Sequence, residues 1–378
     1  MIPLAMPNLT GREKEYLINC IDTTYVSSVG EYVTKLEELC KKACGCEDAV
    51  AVSAGTTGLH AALTAAGVGR DDLVLLPTFT FIASANAVHH CGADLWLVDI
   101  NEDWVMDAKQ IEQLLAEECV KETKGVFRKA DGRRVAAIMP VYTLGNIPDM
   151  DALRRLADQY DLPLIADAAC AIGATWQGKE IGGLADLSVV SFNGNKTITC
   201  GGGGMVFGND ERLTGLVRHL TTTARVNAEY EFDMPGFNYR MTNLQAAVGC
   251  AQMERLDEFV TRKRYVRKHY QEQLSDLSGI SFFPETEGAS CWFSGMVLDA
   301  AEGLDEVRRI CSGLKERGVE ARSFWKPVHL QAPYANAPRA DVQQAEQLWN
   351  RIVTLPCSTN ITEQELECVV QAVREVLG

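Results

Sequence analysis

The sequence predicts an α/β fold: a mainly parallel central sheet with helices on both faces, followed by a smaller C-terminal α+β domain. Three observations lead there. From about residue 49, short apolar runs alternate with helical stretches. Those runs are apolar almost throughout rather than at every second residue, the pattern of strands buried on both faces. After a long helical stretch ending near residue 274 the single alternation stops. A chain of 378 residues suits about two domains. The expected division is a large α/β domain over residues 1–250 and a small α+β domain over 251–378.

The elements follow in order. Leu9–Asp22 predicts a helix, with Thr10 as its cap and Glu13 three residues on. Strands are expected at Ala49–Ser53, Leu73–Leu76, Leu95–Asp99, Ala136–Pro140, Pro163–Asp167 and Leu187–Phe192. Helices are expected between them at Thr57–Ala66, Ile82–His90, Ala108–Glu117 and Met150–Tyr160. Cys119–Arg134 breaks the rhythm. It is rich in charge and carries a turn signal at Asp131-Gly132, so it reads as an exposed hairpin or loop insertion, with phosphate gripping as the alternative. A long helix with a bend is expected over Thr242–Leu274, bridging the two domains. Beyond it come Ile280–Phe283, Cys291–Leu298, a helix at Leu304–Arg317, then Val319–Arg322, and two closing helices at Asp341–Thr354 and Thr362–Leu377.

Composition narrows the function. Hydrophobic residues at 47% and charged residues at 23% allow a sizeable core and exclude a disordered or collagen-like chain. The net charge of −15 argues against an electrostatic nucleic-acid surface. It leaves room for an anionic small substrate held by a few placed donors. No apolar run reaches about 18 residues, so no membrane span is expected. The opening MIPLAMPNLTGREKEY lacks a basic start and a long apolar run, so no secretory signal is expected. Thirteen scattered cysteines, an odd number, read as reduced thiols in a cytoplasmic protein. Cys40, Cys44 and Cys46 fit no standard zinc spacing and read as helix-end packing, and no metal is expected.

In an open parallel sheet, ligands gather at the carboxyl ends of the strands. The first strand is followed by Ala54-Gly55-Thr56-Thr57-Gly58 at a helix start, a place for a phosphate, although Thr56 also suits a plain cap. The second is followed by Pro77-Thr78-Phe79-Thr80-Phe81, where a ring either covers a planar ligand or fills the core. Asp167 closes an apolar strand, a costly position for a carboxylate unless it is paired. A pyridinium N–H is one such partner; a helix cap or an ion pair is another. Lys196 lies between a strand end and the run Gly201–Gly204. A desolvated lysine there suits Schiff-base chemistry. Each signal alone has a structural explanation. Together, in the order Gly55/Thr56, Phe81, Asp167, Lys196, they fit one cofactor, pyridoxal 5′-phosphate.

At these residues the chain resembles the DegT/DnrJ-type sugar-nucleotide aminotransferases, which share the aspartate-aminotransferase fold, fold type I. The resemblance spans nearly the whole length. It rests on SFNGNKTITCGGGG (Ser191–Gly204), SAGTTGLHAAL (Ser53–Leu63), LLPTFTFIASANAV (Leu75–Val88), PVYTLGNIPDMDAL (Pro140–Leu153), IADAACAIGA (Ile165–Ala174), PGFNYRMTNLQAAVG (Pro235–Gly249) and WKPVHLQAPY (Trp325–Tyr334). It implies Lys196 as the cofactor lysine, Asp167 as partner of the ring nitrogen, and Phe81 stacked on the ring. It also implies phosphate contacts from Gly55, Thr56 and Ser191, with Thr57, Cys170 and Asn193 close by. Asn238 would reach the cofactor of a second subunit, so a homodimer with shared sites is implied. Three residues depart from the common pattern. Cys170 stands where Gln or His is usual, the glycine run lacks the usual glutamate, and Tyr142 replaces a histidine. The first bears on how the ring is held, the other two on substrate choice.

The implied reaction moves the amino group of L-glutamate, through the pyridoxamine form of the cofactor, to a nucleotide-linked keto sugar, releasing 2-oxoglutarate. With YVSSVGEYV (Tyr25–Val33) included, the chain is most similar to the branch acting on UDP-linked 4-keto-6-deoxy-N-acetylhexosamines for surface glycans. GDP-4-keto-6-deoxymannose and dTDP-linked keto sugars are the near alternatives. Ser27, Ser28, Arg322, Trp325, Lys326 and His329 are candidate sugar-nucleotide contacts, each with local packing or capping as its plainer role. A sugar dehydratase of this fold carries histidine in place of the lysine, so Lys196 argues against it. A non-catalytic sensor is the rival of another class. A dinucleotide oxidoreductase would need G-x-G-x-x-G, which SAGTTG does not supply.

Overall fold

The computed structural model describes residues 1–300 and 303–378. Two helices open the chain, α1 (Glu13–Asp22) and α2 (Glu31–Cys44). Then strands and helices alternate: β1 (Asp48–Val52), α3 (Gly55–Ala65), β2 (Leu73–Pro77), α4 (Ile82–His90), β3 (Asp94–Val98) and α5 (Ala108–Glu118). A hairpin of β4 (Cys119–Glu122) and β5 (Gly125–Arg128) precedes β6 (Arg134–Ile138), α6 (Met150–Tyr160) and β7 (Ile165–Asp167). A small hairpin, β8 (Thr175–Trp176) and β9 (Lys179–Glu180), leads to β10 (Leu187–Ser191), β11 (Gly204–Gly208) and α7 (Glu211–Thr221).

These strands make one twisted sheet in the order β3-β2-β6-β7-β10-β11-β1. β2 runs parallel to β3 and β6, and β10 runs parallel to β7. β6 meets β7 through the parallel bridges Ile138–Leu164 and Val141–Asp167. Within that order β11 is the reversed strand, antiparallel to both β1 and β10. Every residue of β2, β10 and β11 is buried, and apart from Ser188 and Ser191 none carries a polar side chain. β11 is not foreseen, because its three apolar residues are hidden between glycines. The expected parallel sheet is otherwise present.

Local chemistry explains the differences. α1 starts at Glu13 rather than Leu9. Thr10 donates to Asn8 Oδ1 (2.8 Å) instead of capping, and Glu13 is drawn inside, where Gln252 Nε2 donates to it (2.6 Å). The charged stretch is the β4–β5 hairpin, with β5 paired antiparallel to the start of β6. Several of its cations are spent on neighbours: Arg133 on Asp94 (2.6 Å), Arg134 on Asp72 (2.5 Å) and Lys121 on Asp161 (2.5 Å). The hairpin does not line the cavity described below.

The bridging helix is two helices, α8 (Asn243–Met253) and α9 (Leu256–Gln273), broken at Glu254–Arg255. Thr242 and Gln245 form the capping box that starts α8. A second sheet follows, built from β12 (Ile280–Phe282), β13 (Ser294–Leu298), β14 (Arg322–Ser323) and β15 (Ile352–Leu355). It carries α10 (Leu304–Glu316), α11 (Gln343–Leu348) and α12 (Glu363–Leu377). Its order is β12-β13-β15-β14, all antiparallel. The helix expected at Asp341–Thr354 therefore splits. It ends at Leu348, turns through Trp349–Arg351 and becomes β15, whose four residues are all buried in the middle of the sheet. Three of the four, Ile352, Val353 and Thr354, are β-branched and fit that surface. The N-terminus joins this sheet too. Ile2 bridges Val319, and Leu4 accepts from Cys357 N (2.8 Å). Cys40 and Cys44 are fully buried on α2, and burial pushes both thiols up.

Candidate active site

A cavity of about 450 Å³ opens where the carboxyl ends of β1, β7 and β10 meet the second sheet. Its walls come from both sheets: Gly55, Thr56, Asp167 and Lys196 from one side, Trp292, Phe293 and Arg322–Trp325 from the other.

The first wall is the start of α3. Ala54 is its cap residue, so the first-turn N–H groups have no helical partner. Thr57, expected beside the cofactor, does not line the cavity. Its hydroxyl accepts from Ala54 N (3.1 Å), donates to Ala54 O (2.8 Å) and meets Ser53 Oγ (3.2 Å), so it is spent on the cap residue and its neighbour. Gly55 and Thr56 remain on the cavity wall. Glycine is needed at 55, since a Cβ there would lie 2.9 Å from Ser191 Cβ. At Gly203 the backbone has φ +119°, and a Cβ would meet Met241 Cε at 2.6 Å. The result is a narrow, backbone-lined cup at the positive end of a helix.

Asp167 ends β7 and is only 5% exposed. Burial pushes its carboxyl above the usual range; the Ser84 hydroxyl, the Ala169 amide and the Lys196 amine pull it back. Ser84 Oγ donates to Oδ2 (2.6 Å) and Ala169 N to Oδ1 (3.0 Å). Thr80 Oγ1 in turn meets Ser84 Oγ at 2.8 Å. Ser84 is not among the residues the sequence singles out; it stands in the first turn of α4, and Thr80 lies just before that helix.

Lys196 lies on the loop between β10 and β11. Its Nζ is 3.3 Å from Cys170 Sγ and 3.7 Å from the centre of the Trp292 ring. Trp292 is held at both ends. Its Nε1 donates to Asn195 O (2.8 Å), and its carbonyl accepts from the buried Lys263 amine (2.9 Å). Trp292 lies far from the motifs, and its apolar context marked it only as a strand residue. Phe81 caps α4 yet is 55% exposed, its ring turned out beside the cavity it lines.

The remaining sequence candidates divide. Ser191, Asn193, Cys170, Arg322 and Trp325 line the cavity. His329 does not. It is buried between Thr78 Oγ1 (2.7 Å) and Glu346 Oε1 (3.1 Å), and it ties the second sheet's return segment to the end of β2. Lys326 is exposed outside the cavity, near the Trp349 ring. Ser27 accepts from Asn243 N at the start of α8 (2.6 Å), and neither it nor Ser28 reaches the cavity wall. Asn238 is exposed and does not line the cavity of its own chain. Tyr142 is fully buried with its hydroxyl toward Met150 Sδ (3.5 Å), so it is a core residue rather than a substrate contact.

These residues fit a flat, phosphate-bearing aldehyde. The cup suits a phosphate, the exposed Phe81 ring a planar face, and the buried carboxylate a ring N–H. The lysine amine suits an aldehyde carbon.

Comparison with known proteins agrees. Residues 7–374 match the model of the DegT/DnrJ/EryC1/StrS aminotransferase family. The chain is 38% identical over 382 residues to the GDP-perosamine synthase of Caulobacter vibrioides, covering 100% of this chain and 98% of that one. It is 35% identical to the GDP-perosamine synthase of Escherichia coli O157:H7, covering 99% and 98%. Among solved structures, Helicobacter pylori PseC, an aminotransferase involved in the biosynthesis of pseudoaminic acid, superposes with a TM-score of 0.89. It is 20% identical and covers 100% of this chain and 99% of that one, a likeness of fold. The chain therefore belongs to the DegT/DnrJ/EryC1/StrS aminotransferase family, a fold type I enzyme family that works with pyridoxal 5′-phosphate.

Proposed function

We propose that this chain moves the amino group of L-glutamate onto GDP-4-keto-6-deoxymannose, giving a 4-amino sugar for surface polysaccharide and releasing 2-oxoglutarate. The observation that carries the reading is one cavity of about 450 Å³ holding a lysine amine, a buried carboxylate and a glycine-lined helix start. Relatives named GDP-perosamine synthase support guanosine as the nucleotide. The UDP-linked N-acetyl sugar expected from the sequence has no such support, and the GDP sugar takes its place.

Pyridoxal phosphate, once bound, supplies the aldehyde that takes the amino group and the ring that stores the electron pair released at the donor carbon. This chain's residues would do the rest. Lys196 would hold the aldehyde carbon and, when free, carry the proton to and from the donor carbon. Asp167 would hold the proton on the ring nitrogen, its charge supported by Ser84. The amides of Gly55 and Thr56 and the Ser191 hydroxyl would take the phosphate. Phe81 would cover the ring, with Cys170 and Asn193 beside it. Arg322, exposed in a chain of net charge −15, suits the sugar's diphosphate. Trp325, stacked on Phe324 at 4.4 Å, offers a face to a base.

A homodimer completes the proposal. Val226, Tyr230, Phe232 and Met234 stand exposed on the segment leading to Asn238. A second copy covering them would bring Asn238 toward the other copy's cavity. Sedimentation of the purified protein should give twice the chain mass.

The test is turnover of glutamate with GDP-, UDP- and dTDP-linked 4-keto sugars, alongside Lys196→Ala. Amination of the GDP sugar is expected, together with loss of the absorbance near about 420 nm in Lys196→Ala. Preference for another nucleotide overturns the substrate, and normal turnover by Lys196→Ala overturns the site.

A further inference from the structure

We propose that Cys170 and Lys196 form an oxidation site: peroxide joins the thiol sulfur and the amine nitrogen in an S–N bond that disarms the lysine. The bond itself rests on geometry; only its effect on cofactor capture rests on the reading of Lys196 above. Cys170 Sγ is 3.3 Å from Lys196 Nζ, and both residues line the open cavity, so a molecule the size of peroxide reaches them. The indole face of Trp292 lies 3.7 Å from the same nitrogen and confines the amine. Thiolates, not thiols, react with peroxide. Burial holds the Cys170 proton on sulfur, and Lys196, once protonated, pulls the other way.

The steps balance. Cys170 passes its proton to the Lys196 amine. The thiolate attacks hydrogen peroxide, the O–O bond breaks, and sulfenic acid and hydroxide form. Hydroxide takes the extra proton from the ammonium and leaves as water. The amine nitrogen then attacks the sulfenic sulfur, an S–N bond forms, the S–O bond breaks, and a second water leaves. Sulfur is oxidised by two electrons and peroxide is reduced by two. An added dithiol reverses the step, restoring thiol and amine as it closes to a disulfide. Lysine bound to an aldehyde has no free amine to give, so cofactor-free protein and the pyridoxamine form are the sensitive states.

The structure contains its own control. Lys263 Nζ lies 3.6 Å from Cys357 Sγ, a similar pairing. Cys357 is completely buried, and Lys263 is committed to two carbonyls, Trp292 O and Cys357 O (2.9 and 2.7 Å). That pair should stay unjoined.

The experiment treats cofactor-free protein with hydrogen peroxide and maps its tryptic peptides by mass. The expected result is a peptide containing Cys170 joined to one containing Lys196, two hydrogens lighter than their sum, with cleavage after Lys196 lost. Pyridoxal phosphate capture, read by absorbance, falls in proportion to the joined fraction and returns with dithiothreitol. Cys170→Ser, compared with its own untreated sample, forms no joined peptide and loses no capture. Pre-loading with pyridoxal phosphate protects the wild type. Cys170 carried on to sulfinic acid beside a free Lys196, an unreacted Cys170, or equal loss in Cys170→Ser would each overturn the proposal. Joined peptides with capture unchanged would instead uphold the bond and sink the reading of Lys196.

Discussion

Ser84→Ala isolates what one hydroxyl does for Asp167. Ser84 is fully buried and gives Asp167 Oδ2 its shorter hydrogen bond, at 2.6 Å against 3.0 Å from Ala169 N. A hydrogen bond to a charged group contributes about 1.5–3 kcal/mol. At about 1.4 kcal/mol per pH unit, its removal lifts the carboxyl's titration by roughly one to two units. The carboxyl already stands above its ordinary value of 3.8 because of burial. A raised carboxylate means the folded protein holds a proton that the unfolded chain releases. Stability of the cofactor-free protein therefore declines as pH rises from about 3.8 through the folded value, and Ser84→Ala widens that window. With a ring N–H as partner the loss appears in binding. The cofactor dissociation constant should rise about ten- to hundredfold, and the acid limb of the glutamate half-reaction should move toward neutral pH. Spectrophotometric titration of the cofactor and stopped-flow half-reactions across pH measure both. If both stay at wild-type values in a folded Ser84→Ala protein, Asp167 does not depend on Ser84 and its proposed task is wrong.

Three further outcomes are expected. Gly55→Ala places a Cβ 2.9 Å from Ser191 Cβ and narrows the cup. Competition between the cofactor and inorganic phosphate should show weaker binding of both, with unfolding easier by about 1–3 kcal/mol. Thr57→Ala removes the hydroxyl bonded to the Ala54 backbone at the start of α3 and should cost about 1 kcal/mol in denaturant unfolding, restored by Thr57→Ser; cofactor affinity should stay unchanged, and a large fall would return Thr57 to the site. Burial depresses His329 despite Glu346, so stability should be lost as pH falls from about 6.5 through its folded value. His329→Gln should flatten that acid loss in thermal melts while leaving the sugar KM unchanged.

Much of the site was readable because it follows a rule of the fold. Gly55, Asp167, Ser191 and Lys196 each sit at or just beyond a strand's carboxyl end, and strands of this kind announce themselves by unbroken apolar runs. Ser84 and Trp292 were not readable that way. Ser84 acts through a contact with a residue 83 positions away, and Trp292 reaches Lys196 across 96 positions. Nothing in the local pattern marks either. Thr57 and His329 failed in the other direction, since hydroxyl and imidazole chemistry beside a motif is equally suited to holding the fold. β15 was lost to the helical period of the residues before it, and β11 to the glycines around it.

Sequence alone determined the parallel sheet, the glycine cup, the acid and the lysine, because local spacing sets which residues end each strand and which turns need no side chain. Tertiary structure alone decided that Ser84 supports the acid, that Trp292 floors the amine, and that Cys170 touches it. Those contacts join segments far apart in the chain, and their geometry exists only once both sheets have closed around one cavity.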